Sequence, residues 1–266
     1  MSNRILLVVG DKFAAYARGK DVITVSNLRG LLTLSIPLLP HQGRTVLVPG
    51  QGLNEEVVKQ LLEEAAQSPN ISQFDFSLWH DMPQRASISL THKHRPENVL
   101  VSKPVRMNAN QFQMHLMVDE DCELMKDHLS GQHVQGMVLI EAARQGMLAV
   151  TEAYLIPENG IDYSFVFEAL SVQYSHYTFP LGAVIEANIT ECAVDNPKRL
   201  HFAAETIVKQ CGQTVSEFTM SFAAMERSRI SKREGMMATK TQAHFMREVA
   251  ANLESQELYV QKVENL

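Results

Sequence analysis

A helix that must be buried, yet carries a charge, constrains this chain more than any other feature. Residues Asp127 to Gln145 read DHLSGQHVQGMVLIEAARQ. Past Gly136 the run Met137-Val138-Leu139-Ile140 is continuously apolar. A helix with no polar face belongs inside a core. Glu141 ends that run, with Arg144 and Gln145 one turn later. Burying a bare carboxylate is expensive. Glu141 must therefore be paired, hydrogen-bonded or shifted in pKa, which makes it a candidate for chemistry.

The surroundings of that helix give the fold class. Gln111–Val118 reads as a strand, and the helix extends from Val134 to about Leu155, where Pro157 and Asn159-Gly160 stop it. Four strand-like runs follow: Tyr163–Tyr174, Gly182–Val194, Arg199–Gln210 and Thr214–Met225. His201–Val208 and Val215–Phe222 partly alternate, as half-buried antiparallel strands do. Asp195–Lys198 and Cys211–Gln213 are short enough for hairpins. The pattern predicts an α+β domain over 98–226, an antiparallel sheet wrapped around a long central helix.

Residues 1–78 have a different rhythm. Ile5–Val9, Val22–Val25 and Thr45–Val48 are short apolar strands, and Phe74–Trp79 is a candidate fourth. Asn54 can cap a helix to about Ala66, with Glu55 and Glu56 favourable in its first turn. Strands alternating with helices suggest a small α/β (Rossmann-like) domain on a parallel sheet. Gly10 and Gly50-Gln51-Gly52 follow strands without completing GxGxxG or GxxxxGK[ST]. A structural or interaction role is thus expected over dinucleotide binding. Residues 79–97 form a polar connector with His92-Lys93-His94-Arg95. Residues 227–266 form a charged tail, helix-prone over Ala238–Leu253.

Composition narrows the function. A formal charge of −6 argues against a nucleic-acid binder. Cys122, Cys192 and Cys211 have no CxxC spacing and point to a reducing cytoplasm. No run approaches the roughly 20 apolar residues of a membrane span. No carboxylate or cysteine set joins His128 and His133, so no metal is expected.

His128, Gly136, Leu139 and Glu141-Ala142 through Gln145 resemble the H…PG…EA..Q signature of hotdog-fold β-hydroxyacyl-carrier-protein dehydratases. The His-to-Glu spacing is one residue shorter here, and Gln135 stands at the proline. More closely, His133-Val134-Gln135-Gly136-Met137 followed by Glu141-Ala142-Ala143-Arg144-Gln145 resembles the A-factor biosynthesis hotdog family, the synthases of γ-butyrolactone signals. His92-Lys93, with Val99-Leu100-Val101 downstream, resembles a preceding His-Lys segment of that family. The resemblance covers about 90–225 and leaves the first 78 residues unmatched. It implies a hotdog domain and an acyltransferase joining a β-ketoacyl thioester to dihydroxyacetone phosphate. The thioester would be an acyl-CoA or acyl carrier protein, with no tightly bound cofactor. The best-known members carry two such motifs; this chain has one, which implies a homodimer with sites at the subunit interface.

That chemistry needs a base, a polarised carbonyl and a phosphate anchor. Glu141 would be the base if burial raises its pKa toward neutrality. Arg144 would contact phosphate or carbonyl, or be an i,i+3 ion partner that depresses Glu141 instead. The helix start near Gly136 and Met137 can hold a thioester oxygen or phosphate. Gln145 would orient Glu141, and Lys93 is a further candidate substrate contact. His128 and His133 are candidate catalytic histidines, or a loop residue and a helix cap. Arg227–Arg233 and Lys93–Arg95 are solvated linkers or docking points for an acidic carrier. Phe165, Phe167, Tyr174, Tyr177 and Phe179 are core, or line an acyl tunnel. Two other functions compete: a hotdog dehydratase or thioesterase resting on His128 with Glu141, and a non-catalytic acyl-ligand or interaction protein.

Overall fold

The computed structural model describes residues 4–34, 44–127 and 130–264, the side chains of 255–264 excepted. The apolar run after Asn27 ends, at Leu39, outside these residues. Strands β1 (Arg4–Val9), β2 (Val22–Thr24), β3 (Thr45–Pro49) and β4 (Phe74–Asp75) form a parallel sheet in the order β2-β1-β3-β4. Leu7 aligns with Val22 and Leu6 with Leu47. Helix α1 (Val25–Thr33) is capped by Thr24, and α2 (Glu55–Gln67) by Asn54, whose Oδ1 accepts from Val57 N at 2.8 Å. Leu28, Leu47, Leu61, Phe74 and Trp79 close the core.

The fourth strand is shorter than its sequence suggests. Asp75 Oδ1 accepts from Ser77 N at 2.9 Å and starts a helical turn, Ser77–His80. That turn carries Trp79 inward, where its Nε1 donates to Leu47 O at 3.0 Å. Phe76 and Trp79, which read as strand, are buried around a turn instead, and Leu78 is left exposed.

In sheets of this kind the crevice at the carboxyl ends of the strands is where ligands bind. Here the rest of the chain fills it. Gly50 follows β3, and a Cβ on it would stand 2.6 Å from Pro180 O. A Cβ on Gly10, after β1, would stand 2.6 Å from Glu120 Oε2. Buried Gln51 donates from Nε2 to Leu116 O at 3.0 Å and Leu181 O at 3.1 Å, while its Oε1 accepts from Val118 N at 2.7 Å. Gly52 N donates to Val118 O at 2.8 Å. The glycines that follow β1 and β3 admit polypeptide rather than phosphate.

The second sheet has the order β5-β6-β8-β9-β10-β7. Its strands are β5 (Val105–Arg106), β6 (Gln111–His115), β7 (Tyr163–Tyr174), β8 (Val184–Ala193), β9 (Leu200–Gln210) and β10 (Gln213–Glu226). Strand β9 alternates cleanly, with Leu200, Phe202, Ala204, Thr206, Val208 and Gln210 buried. Cys211 and Gly212 supply the two positive φ angles, 51° and 78°, of the hairpin to β10. Helix α3 (Gly136–Val150) buries Val138, Leu139, Ala142, Ala143 and Met147 and runs into a π-turn, Thr151–Leu155. This is a hotdog domain.

The chain divides into two compact units, residues 1–157, 168–192 and 202–221, and residues 158–167, 193–201 and 222–266. Within the second, the expected basic linker is the start of a 38-residue helix, α4 (Arg227–Glu264). Arg227 forks onto Asp162 at 2.6 and 3.2 Å, and Arg229 pairs with Glu226 at 2.9 Å. These contacts fix the first turn, and the helix begins where the basic run begins. Phe165 packs on Phe222, but Phe167, Tyr174, Tyr177 and Phe179 are exposed, so these four are not core.

Two glycines give opposite expectations. Gly50→Ala meets a carbonyl oxygen and should destabilise by about 1–3 kcal/mol. Gly30→Ala, in α1 with nothing within 4 Å of the new methyl, should stabilise by about 0.5–1 kcal/mol. Urea denaturation of both variants checks the pair.

Candidate functional site

Helix α3 and the segment before it bring four of the candidate residues together. The turn Ile88–Thr91, capped by Ser87, ends at His92 in the left-handed region, φ 53°. From that bend His92 and Lys93 both reach α3 and its π-turn extension. His92 Nε2 lies 2.8 Å from Glu152 Oε1, and Lys93 Nζ lies 2.6 Å from Glu141 Oε1. Arg144 forks onto the same carboxylate, Nε to Oε2 at 2.7 Å and Nη2 to Oε1 at 2.8 Å. Gln145 Nε2 adds a bond to Glu141 Oε1 at 3.0 Å.

Gln145 is fully buried and spends every polar atom. Its Nε2 also donates to Asn98 O at 2.8 Å, and its Oε1 accepts from Leu100 N at 2.8 Å. The amide thus orients Glu141 while tying the segment after the connector to α3.

The electrostatics follow from this geometry. Burial pushes the Glu141 carboxyl up, but the bonds from Arg144, Lys93 and Gln145 outweigh it and hold the group down at about 2. Burial does not lift Glu141 toward neutrality, because two cations and an amide replace the water it loses. The carboxylate in turn raises the Arg144 pKa. Two cations thus face one carboxylate beside a cleft of about 220 Å³ lined by Lys93, Asn98, Met137, Glu141 and a second carboxylate, Glu123, which pairs with Arg95 at 3.2 Å.

The opposite side of the α3 N-terminus has a larger cavity, about 580 Å³, lined by His133, Gly136, Leu139, Tyr174, His176 and Tyr177. Tyr174 Oη donates to Gly136 O at 2.8 Å, and a Cβ on Gly136 would stand 2.8 Å from that ring. Gly136 therefore admits a side chain of this same protein. His133 lies 3.4 Å from Ser130 Oγ through Nδ1, with its ring 5.1 Å from that of Tyr177. It does not cap α3: the N-cap is Gln135, whose amide is turned onto Leu124 O. Met137 is exposed on the cleft side. His128 lies outside the described residues. Among the described residues no group of three or more His, Cys, Asp or Glu could hold a metal.

Asn98 and the His92–Glu152 pair were missed in the sequence. The signal is present: Glu141, Gln145 and Glu152 recur at helical spacing along one face of an apolar helix, a polar stripe that needs a polar partner strip.

The family model for the A-factor biosynthesis hotdog domain matches residues 77–226. The chain belongs to that family. The match covers the His92-Lys93 bend, α3 and the antiparallel sheet, and leaves the parallel-sheet domain outside. Among curated proteins none matches. Among solved structures, a mutant thioesterase of Pseudomonas aeruginosa is similar at 12% identity over 56% of this chain and 99% of its own, TM-score 0.38. A conserved protein of the same organism is similar at 16% identity over 53% and 100%, TM-score 0.37. An uncharacterized Pyrococcus horikoshii protein is similar at 21% identity over 49% and 87%, TM-score 0.34.

A carboxylate held below its ordinary 4.5 stabilises the fold above that pH, and the contribution is lost as pH falls toward 2. Glu141→Gln should cost about 2 kcal/mol at neutral pH, solvent screening at this half-buried site taken into account. It should also flatten the acid limb of stability between pH 4.5 and 2. Denaturant midpoints of both proteins across that window measure the effect.

Proposed function

We propose that this protein is an A-factor-type acyltransferase. It would transfer a β-ketoacyl group from coenzyme A or an acyl carrier protein to the hydroxyl of a phosphate-bearing alcohol resembling dihydroxyacetone phosphate. The product would belong to a diffusible signal or secondary metabolite. Membership of the family supports a role in acyl-thioester chemistry. The observation that carries the finer reading is the gathering of Lys93 and Arg144 on Glu141, two cations on one carboxylate in the middle of α3.

In this reading the acceptor phosphate takes up Lys93 and the Arg144 fork, a planar donor suited to phosphate. Each bond that Glu141 gives up raises its pKa, so the carboxylate gains basicity as the acceptor binds. Glu141 then takes the acceptor hydroxyl proton while that oxygen attacks the thioester carbonyl. The C–S bond breaks, and the leaving thiolate receives the proton from Glu141. Backbone N–H groups at the start of α3 face the developing oxyanion. With both cations back on Glu141, water finds only a weak base, which favours transfer over hydrolysis.

A second reading, hydrolysis or dehydration of the thioester, draws on His133 at the mouth of the larger cavity. Free-thiol release from a β-ketoacyl thioester, with and without dihydroxyacetone phosphate, separates the two. Acceptor-dependent release, lost about 100-fold or more in Glu141→Gln and Arg144→Ala, supports transfer. Release indifferent to acceptor supports hydrolysis, and none at all supports a binding protein.

A single motif per chain also implies a second copy. Strand β7 closes one edge of the sheet and exposes Val166, Phe167, Leu170 and Tyr174. An apolar unpaired edge is a template for another strand. We infer a homodimer through β7. Light scattering should report a dimer for the natural chain and a monomer for Leu170→Lys; a monomeric natural chain overturns it.

A further inference from the structure

The larger cavity has two walls, and the parallel-sheet domain holds both. One wall is His133-Val134, the end of the segment Ser130–Val134; the other is Tyr174–Thr178, with His176 and Tyr177, and the chain runs on from it through Phe179 to Leu181. Val134 N donates to Thr178 O at 2.8 Å and pins the walls together at one point. Beyond that point they are held apart by the short helix Ala14–Ala17 of the N-terminal domain. Tyr16 N donates to Gly131 O at 3.1 Å, two residues before the first wall. The Tyr16 ring stacks on Phe179, the residue after the second wall, centroids 5.6 Å apart and planes 26° from parallel. Neighbours on both sides reinforce the clasp. Gln132 Nε2 donates to Ala15 O at 3.1 Å, and Gln51 N donates to Pro180 O at 3.0 Å. Lys20 Nζ lies 4.9 Å from the Tyr16 ring centroid and donates to Tyr16 O at 2.8 Å, which fixes the ring from behind.

One residue of the unmatched domain thus holds the two segments that lead into the walls of a largely apolar, aromatic cavity without lining it. A cavity of this size and lining suits an alkyl chain better than a phosphate. We propose that the cavity beside the start of α3 seats the acyl chain, and that Tyr16 is the positioning residue that sets its width. The proposal rests on the thioester reading above and gives residues 1–78 their role. In place of a nucleotide, the N-terminal domain binds the hotdog domain and gauges its substrate.

Calorimetric binding of non-cleavable thioether analogues of butyryl- and dodecanoyl-pantetheine tests it. The natural chain and Tyr16→Phe should bind the dodecanoyl analogue more tightly than the butyryl one. Tyr16→Ala should weaken dodecanoyl binding about tenfold, the worth of an aromatic pair, with butyryl binding changed less than about twofold. Phe179→Ala removes the same stack from the other side and should match it, which keeps the test alive if Tyr16→Ala does not fold. Unchanged affinity and chain-length preference in a folded Tyr16→Ala or Phe179→Ala overturns the proposal. Failure of the natural chain to bind either analogue would instead remove the thioester reading beneath it.

Discussion

Glu141 is a charge placed in the chain's most apolar helix, and the helix can be buried only if that charge is matched. Lys93, Arg144 and Gln145 supply the match, and each brings something with it. Lys93 requires the left-handed bend at His92. Gln145 draws Asn98 and Leu100 against α3. A partly satisfied buried network is worse than an apolar core, whereas a complete one specifies a unique arrangement. The same cluster that makes the fold possible sets two cations and a carboxylate beside a cleft, so the chemistry proposed for the site would draw on side chains that the fold already needs.

The parallel-sheet domain solves a related problem by main-chain bonding. Gly10, Gly50, Gln51 and Gly52 sit where such sheets ordinarily receive a ligand, yet they meet carbonyls and amides of residues 116–120 and 180–181. Backbone groups buried between two domains have to be paired, and Gln51 alone pairs four, three through its side chain and Pro180 O through its own N–H. The two domains are therefore joined at the level of the hydrogen-bond ladder, a tighter union than side-chain packing across a smooth interface would give.

Much of this was legible beforehand, for identifiable reasons. Periodicity marked α3, the alternating strand β9 and the three longer parallel strands, because burial on one face or both leaves a regular trace. The EAARQ run placed Glu141, Arg144 and Gln145 on one helix. The carboxyl's ionisation was half legible: Arg144 as an i,i+3 partner that depresses Glu141 stood as one of two readings, while the bond from Lys93, 48 residues upstream, left no local trace. Phe74–Trp79 misled because a local turn, Asp75 Oδ1 accepting from Ser77 N, and not hydrophobicity, decides where the strand ends. A charged, helix-prone tail from Arg227 was legible, but not where α4 begins, because its first turn rests on ion pairs to Asp162 and Glu226 that no local pattern records. The exposed aromatics of β7 and the following loop read as core because their residue types carry no sign of which face they occupy.

The filled crevice also sets an order of events at the ribosome. Gln51 finds its last acceptor 130 residues further along the chain, at Leu181. At about 5–20 residues per second, the nascent parallel-sheet domain waits roughly 7–26 seconds before that partner has even been made. Through that interval the opening closes in steps: Leu116 O and Val118 N come 65 and 67 residues after Gln51, and Leu181 O only after 130. The domain is then a half-finished lock on a growing polypeptide, open to chaperones or to the corresponding segment of a neighbouring chain on the same messenger. Completion of one protomer and exchange between two are thus competing outcomes of translation speed.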